Sequence, residues 1–207
     1  MNQSNLSFDS LVFVFLLAAM LSAIMLMVVK HVNIHYLFGR FAVNLRAKCQ
    51  LDSQLYHEFQ RVDVVCGGIH RYIDYVYLSR SGIFVVNTPN QQGRIWGETG
   101  SRHWQQKFYK SSSHFPNPLM ENQLYILALS EKLGLSTRCF FSVVVFANSR
   151  FQTMMPDNVL DVADFADYVA QYDEVLFDEE EVDQIKAVLD ANEFDVVFEQ
   201  PKFSPMG

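Results

Sequence analysis

The sequence predicts an α/β domain, a central sheet covered by helices, set behind one long apolar segment. Three observations carry this. Residues 73–78 and 83–86 are short runs rich in β-branched and aromatic residues, split by Ser79-Arg80-Ser81-Gly82, the pattern of two strands joined by a tight turn. Residues 140–146, reading FFSVVVF, form a near-continuous apolar run, as expected of a strand covered on both faces. Residues 119–133 place Leu124, Leu127, Ala128 and Leu129 near helical spacing, after Asn117-Pro118 and before Gly134, which suits a C-cap.

The composition supports a folded core. The chain has 207 residues, half of them hydrophobic, with 18 Phe and 9 Tyr, which suits one domain plus appendages. The net charge of −7 hides an asymmetry. Residues 30–150 hold fourteen Lys or Arg against seven Asp or Glu, whereas residues 151–207 hold two against fifteen. A basic body with an acidic tail suits a polyanion-binding face, or else two solvated surfaces of opposite sign. Cys49, Cys66 and Cys139 are odd in number and form no CxxC or Cys/His cluster. That pattern disfavours a disulfide framework and a zinc site, and favours free thiols in a reducing compartment.

In chain order, residues 1–10 form a polar tail and residues 11–30 a transmembrane helix. From Leu11 to Val29 the only polar residue is Ser22 and there is no charge, close to the ~20 apolar residues that span a bilayer. No Lys or Arg precedes this stretch, and Lys30, Arg40, Arg46 and Lys48 follow it. The expectation is an uncleaved single-pass anchor with the N-terminus outside and the globular part cytoplasmic. Residues 31–155 are the expected domain core. Within it Phe41, Leu45 and Cys49 mark a helix, residues 59–65 a strand and Cys66-Gly67-Gly68 a turn. The hairpin follows, with Asp74 inside its first strand and Asn87 closing its second. A carboxylate in an apolar strand is costly unless paired, solvated or bound to metal. A turn at residues 90–93, a short strand at 94–97 and another around Trp104–Tyr109 come next, with Gln105 and Lys107 alternating outward. Ser111–His114 reads as a break. Residues 156–207 form an acidic helical extension, with a short strand at 159–160 and helices at 162–172 and 179–192. The second helix opens on Asp178-Glu179-Glu180-Glu181, which complements the helix dipole.

These residues together resemble the nuclease-related domain family. The likeness rests on Gly39 and Val43-Asn44, Tyr56-His57, Ile73-Asp74, Ser79-Arg80, and Gly82 through Val86. It continues through Asn90, Gly93, Ile95, Trp104, Gln106, Asn117-Pro118, Asn122 and Ser142–Phe146, and covers about residues 36–195. The resemblance implies a restriction-endonuclease-like core with a mixed central sheet flanked by helices. It also implies metal-dependent phosphodiester cleavage, with carboxylates holding Mg²⁺ that activates a water. The pattern needed is a helix Glu, the hairpin Asp, Glu-x-Lys at the strand end and a Gln in the later helix. Here those positions are Arg40, Asp74, Asn87 with Pro89, and Glu121. Only Asp74 survives; Asp74 and Glu121 are the candidate relic catalytic residues, and no metal site is expected. Arg40 is expected to form an ion pair with Asp74 where the metal would sit.

The resulting expectation is a membrane-anchored, catalytically degraded nuclease-related protein that binds nucleic acid or a protein partner, with no cofactor. Arg71, Arg80, Arg94, Arg102, Lys107 and Lys110 are the candidate phosphate contacts. His103, Trp104, Phe108 and Tyr109 are interleaved with them, with core packing the expected role of Trp104 and Phe108. One alternative is an active Mg²⁺-dependent nuclease with relocated ligands, Asp74, Glu98 and Glu121, served by His103 or Lys107. Another is a membrane scaffold whose acidic helices take a protein partner.

Overall fold

The computed structural model describes residues 17, 20–22, 51, 55–147 and 149–191. The chain divides into two compact units, residues 1–38 and 39–207. In the first, residues 17 and 20–22 are helical. Among the described residues no helix is long and apolar enough to cross a membrane. The expected span at 11–30 and the expected helix around Phe41–Cys49, with Arg40, lie almost wholly outside the described residues.

The second unit is a mixed α/β structure with two sheets. Its strands are β1 (His57–Cys66), β2 (Ile69–Ser79), β3 (Gly82–Asn87), β4 (Gly93–Trp96), β5 (His103–Phe108), β6 (Ser111–Pro116), β7 (Phe140–Phe146), β8 (Ser149–Phe151) and β9 (Val159–Asp161). Among its described residues the α-helices are α1 (Pro118–Leu133), α2 (Phe165–Val169) and α3 (Glu179–Asp190). The larger sheet has the order β1-β2-β3-β7-β9, antiparallel through β3 and parallel from β3 to β9. The smaller has the order β6-β5-β4-β8. The sequence predicts a single central sheet; the second one arises because β4 to β6 pair with one another and with β8.

Alternation along β7 explains its apolar run. Val143 and Val145 join Tyr75, Tyr77, Phe84 and Val86 on one face, beneath Phe165 and Val169 of α2. Val144 and Phe146 point the other way, into a cluster with Ile95, Trp104, Phe115 and Val159 that joins the two sheets. Further along that second face, Ile83, Val85, Val76 and Leu78 pack under Tyr125 and Leu129 of α1 and Val182, Ile185 and Leu189 of α3. Both faces are covered, so no polar alternation is required. Residues 159–190 are integral to this arrangement, since β9 extends the larger sheet and α2 and α3 cover its faces.

Helix α1 is bounded as its sequence predicts. The Asn117 side chain caps Leu119 N–H at 2.9 Å, Pro118 starts the helix, and Gly134 closes it in the left-handed region at φ 65°. The inward stripe differs from the expected one. Leu124 and Leu127 are exposed, and Asn122, Tyr125 and Leu129 face the sheet. Asn122 is inward because its amide donates to Val85 O at 3.0 Å and Val143 O at 2.9 Å, tying α1 to β3 and β7. Residues 111–116 are strand β6 rather than a break, and the turn is Tyr109-Lys110, with Tyr109 at φ 52°. The expected helix at 162–172 is confined to residues 165–169. Helix α3 carries a full capping box between Asp178 and Glu181.

Candidate functional site

The site lies at the carboxyl end of β3, beneath the first turn of α1. A shift in pleat places Asp74 there. Ile73, Val76 and Leu78 of β2 share the cluster under α1, while Tyr75 and Tyr77 lie on the opposite face. Alternation therefore slips by one residue around Asp74. The same slip occurs on β1, where Phe59, Val62 and Val64 share that cluster. The register pairs Gln60 with Tyr75 and Val62 with Ile73, so Arg61 stands across from Asp74, at φ 53°. Positive φ at a non-glycine residue is strained, and here it marks the turn of the pleat that re-aims Asp74. The Arg61 guanidinium rests over the Tyr72 ring, 5.3 Å from its centroid.

Asp74 is clamped by the residue that follows β3. Its Oδ2 accepts from the Thr88 backbone N–H at 2.8 Å and from the Thr88 hydroxyl at 2.7 Å. Thr88 is buried. The next residue, Pro89, has no N–H to offer. Glu121, in the first turn of α1, accepts a hydrogen bond from the Asn87 side chain. Burial raises the Glu121 pKa, the Asn87 bond and the Arg71 guanidinium oppose that rise, and the Asp74 charge adds to it. Tyr125, one helical turn further along α1, has its phenol pushed up to about 12 by burial, with the Glu121 charge adding to the rise. Burial also raises the Cys66 thiol, against the pull of Arg71.

Four sequence-marked residues thus interact, Asp74, Asn87, Glu121 and Arg71, and a fifth, Pro89, follows Thr88 in the chain. Sequence reasoning missed Thr88, whose signal is a hydroxyl placed directly after a strand end and ahead of a proline. The other marked cations lie elsewhere. Arg80, in the β2–β3 turn, accepts Leu176 and Phe177 N–H on its carbonyl at 2.8 and 3.0 Å and reaches Glu179 of α3 at 4.0 Å. Arg94 and Lys107 are exposed on β4 and β5, and Arg102 and Lys110 lie on the loops flanking β5. Trp104 is buried in the cluster between the sheets, where its Nε1–H donates to Glu98 O at 3.0 Å. His70, which has no companion ligand in the sequence reading, bonds Asp63 at 3.0 Å. The proposed partner of Asp74 at Arg40 lies outside the described residues.

Among the described residues no three His, Cys, Asp or Glu side chains form a group able to hold a metal. Glu98, His103 and Lys107, which the relocated-ligand alternative requires, are exposed on or beside the smaller sheet. The two carboxylates present are engaged by Thr88 and Asn87. Hard divalent ions require several anionic oxygens in fixed geometry, and the described residues do not assemble that set.

The folded-state pKa of Glu121 is above its unfolded value, so the native state holds its proton over a wider range. Stability therefore falls as pH rises from the ordinary carboxylate range through the raised value, and the cost persists above it. Glu121→Gln is expected to raise Tm at pH 7, with the gain vanishing below the ordinary glutamate range. Thermal melts of both proteins across pH 3–8 measure it; an equal Tm difference at all pH values would show that ionisation of Glu121 carries no cost.

The chain is 32% identical over 85 residues to an uncharacterized protein of Bacillus anthracis, a match covering 41% of this chain and 40% of that protein. The chain thus spans less than half of that relative's length. No solved structure matches the chain at a significant level. The nuclease-related domain model matches residues 37–147, more than half the chain, and takes in β1 to β7, α1 and every member of the Asp74 cluster. The chain belongs to the nuclease-related domain family.

Proposed function

We propose that this domain is a nuclease-related fold on a restriction-endonuclease-like core that binds nucleic acid without cutting it. The observation that carries the reading is the clamp on Asp74. Two donors from Thr88 converge on Oδ2 of Asp74, and the neighbouring Glu121 is held by Asn87. The sequence supports the same reading. No Asp or Glu occurs between Ser10 and Leu51, so the first-helix segment has no acid with which to complete a ligand set. Asn87 and Pro89 replace the strand-end Glu and Lys of the family pattern. A neutral amide and a proline provide neither an anionic ligand nor an ammonium to polarise a water.

The uncharged stretch 11–29, followed by Lys30, Arg40, Arg46 and Lys48, supports a single-pass anchor that holds the domain at the cytoplasmic face. Nucleic acid is favoured over a purely structural role by the basic excess of residues 30–150. The test is incubation of the purified full chain with labelled single and double strands, in Mg²⁺ or Mn²⁺ and in chelator. The expected outcome is salt-sensitive retention of the strands with no metal-dependent product. Product that appears with metal and is lost in Glu121→Ala would establish a working nuclease instead.

A further inference from the structure

The outward face of the smaller sheet carries an arrangement that only the strand register reveals. Lys107 of β5 lies opposite Arg94 of β4, and Arg94 lies opposite Arg150 of β8. Directly opposed residues on paired strands share a face, so the three cations form one row across three strands, at steps of about 5 Å. All three are exposed. The opposite face is fixed by Ile95, Trp104 and Phe115, which alternate with the row and are buried against the core. The next row along the same outward face, two residues or about 7 Å further on, is His114, Gln105 and Trp96. The Arg94 guanidinium lies over the Trp96 ring, 5.9 Å from its centroid. No Asp or Glu occurs in β4, β5, β6 or β8.

We infer that this sheet face is the nucleic-acid surface of the domain, and that its ligand is a single strand. This rests on the nucleic-acid reading above and assigns the surface and the ligand class. Phosphates of an extended strand meet the cationic row, where three opposite charges release counterions. Bases meet the second row, where an indole and an imidazole supply flat surfaces and Gln105 supplies an amide donor and acceptor. The two rows together distinguish this ligand from a membrane surface, since anionic headgroups need only the charge. They also distinguish it from a duplex, whose bases are stacked inside and present no faces to an open sheet. The Asp74 cluster takes no part, so binding at this face needs no metal.

The test uses the full chain in neutral detergent and a labelled mixed-sequence single strand, with affinity read by fluorescence anisotropy over a range of salt. The combined Arg94→Ala, Lys107→Ala and Arg150→Ala variant is expected to lose at least about tenfold in affinity and to flatten the salt slope by about two. Trp96→Ala is expected to weaken binding several-fold with the slope unchanged. Arg138→Ala, an exposed cation on another element, is expected to bind as the parent does. Circular dichroism melts confirm that each variant is folded. The surface assignment is overturned if the triple variant binds as well as the parent, if the matched duplex binds tighter than the single strand, or if phosphatidylserine vesicles displace the strand completely. Binding that survives the triple variant but is lost in Arg71→Ala would leave the nucleic-acid reading standing and move its surface to the Asp74 cluster. A parent chain that retains no strand at low salt would remove both.

Discussion

Trp104→Ala is expected to destabilise the domain by about 3–5 kcal/mol, the range for emptying a fully buried aromatic site. Trp104 is 1% exposed and lies between the two sheets. Its ring stacks on Phe146 of β7 at 6.4 Å and meets Phe115 of β6 edge-on at 6.2 Å. Gly97 faces the ring so closely that a Cβ there would come within 2.3 Å of it, so the backbone has been shaped around the indole. Removing the ring opens a cavity that the glycine cannot fill, and takes away one donor to Glu98 O, which keeps Ser101 N–H at 3.1 Å. The loss should appear as a fall in Tm on the order of 10 °C. It should also reduce single-strand binding, because this cluster joins the smaller sheet to the core. A Tm within about 2 °C of the parent would mean that the smaller sheet is held by other contacts.

Asp74→Ala is expected to cost about 2–4 kcal/mol, and the sign matters more than the size. Two hydrogen bonds to an ionised acceptor are lost, each worth about 1.5–3 kcal/mol, and the buried Thr88 N–H and hydroxyl are left without that partner. Relief of repulsion with Glu121 works the other way. That term is moderated by the Asn87 bond and the Arg71 guanidinium, so the lost bonds win. In a working metal site, crowded carboxylates are retained for function at the expense of stability, and truncating one is neutral or stabilising. Equilibrium denaturation of Asp74→Ala, with Asp74→Asn as the near-isosteric control, separates the two cases. A stability unchanged or raised in Asp74→Ala would contradict the structural role assigned to the clamp.

The parts of the fold that the sequence made legible are those where local chemistry and tertiary packing agree. The β2–β3 hairpin, the doubly covered β7 and the capped α1 all follow from turn residues, apolar runs and N-cap and C-cap signals. Where the two disagree, the sequence misleads. Leu124 and Leu127 have helical spacing yet point outward, because Asn122 is drawn inward by two strand carbonyls that hydropathy does not register. Ser111–His114 has weak strand propensity yet forms β6, because β5 supplies a continuous backbone partner.

The site was half legible. The sequence marks Asp74 and Glu121, and the Asp74 charge acts on Glu121. It does not mark Thr88, because its bond to Asp74 spans fourteen residues and depends on the slip of the pleat. The cations show the same limit. Arg80 and Arg71 look equivalent in the chain but sit at opposite ends of β2, one tied to α3 and the other beside Glu121. Arg150 was not marked at all, and its place beside Arg94 exists only through the parallel pairing of β4 with β8.

The most direct measurement is a Mn²⁺ titration of the full chain followed by electron paramagnetic resonance, in parallel with Asp74→Asn. With Asp74 held by Thr88 and Glu121 by Asn87, the expected result is no saturable ion at millimolar Mn²⁺ and indistinguishable curves for the two proteins. One tightly held ion per chain, lost in Asp74→Asn, would contradict the account.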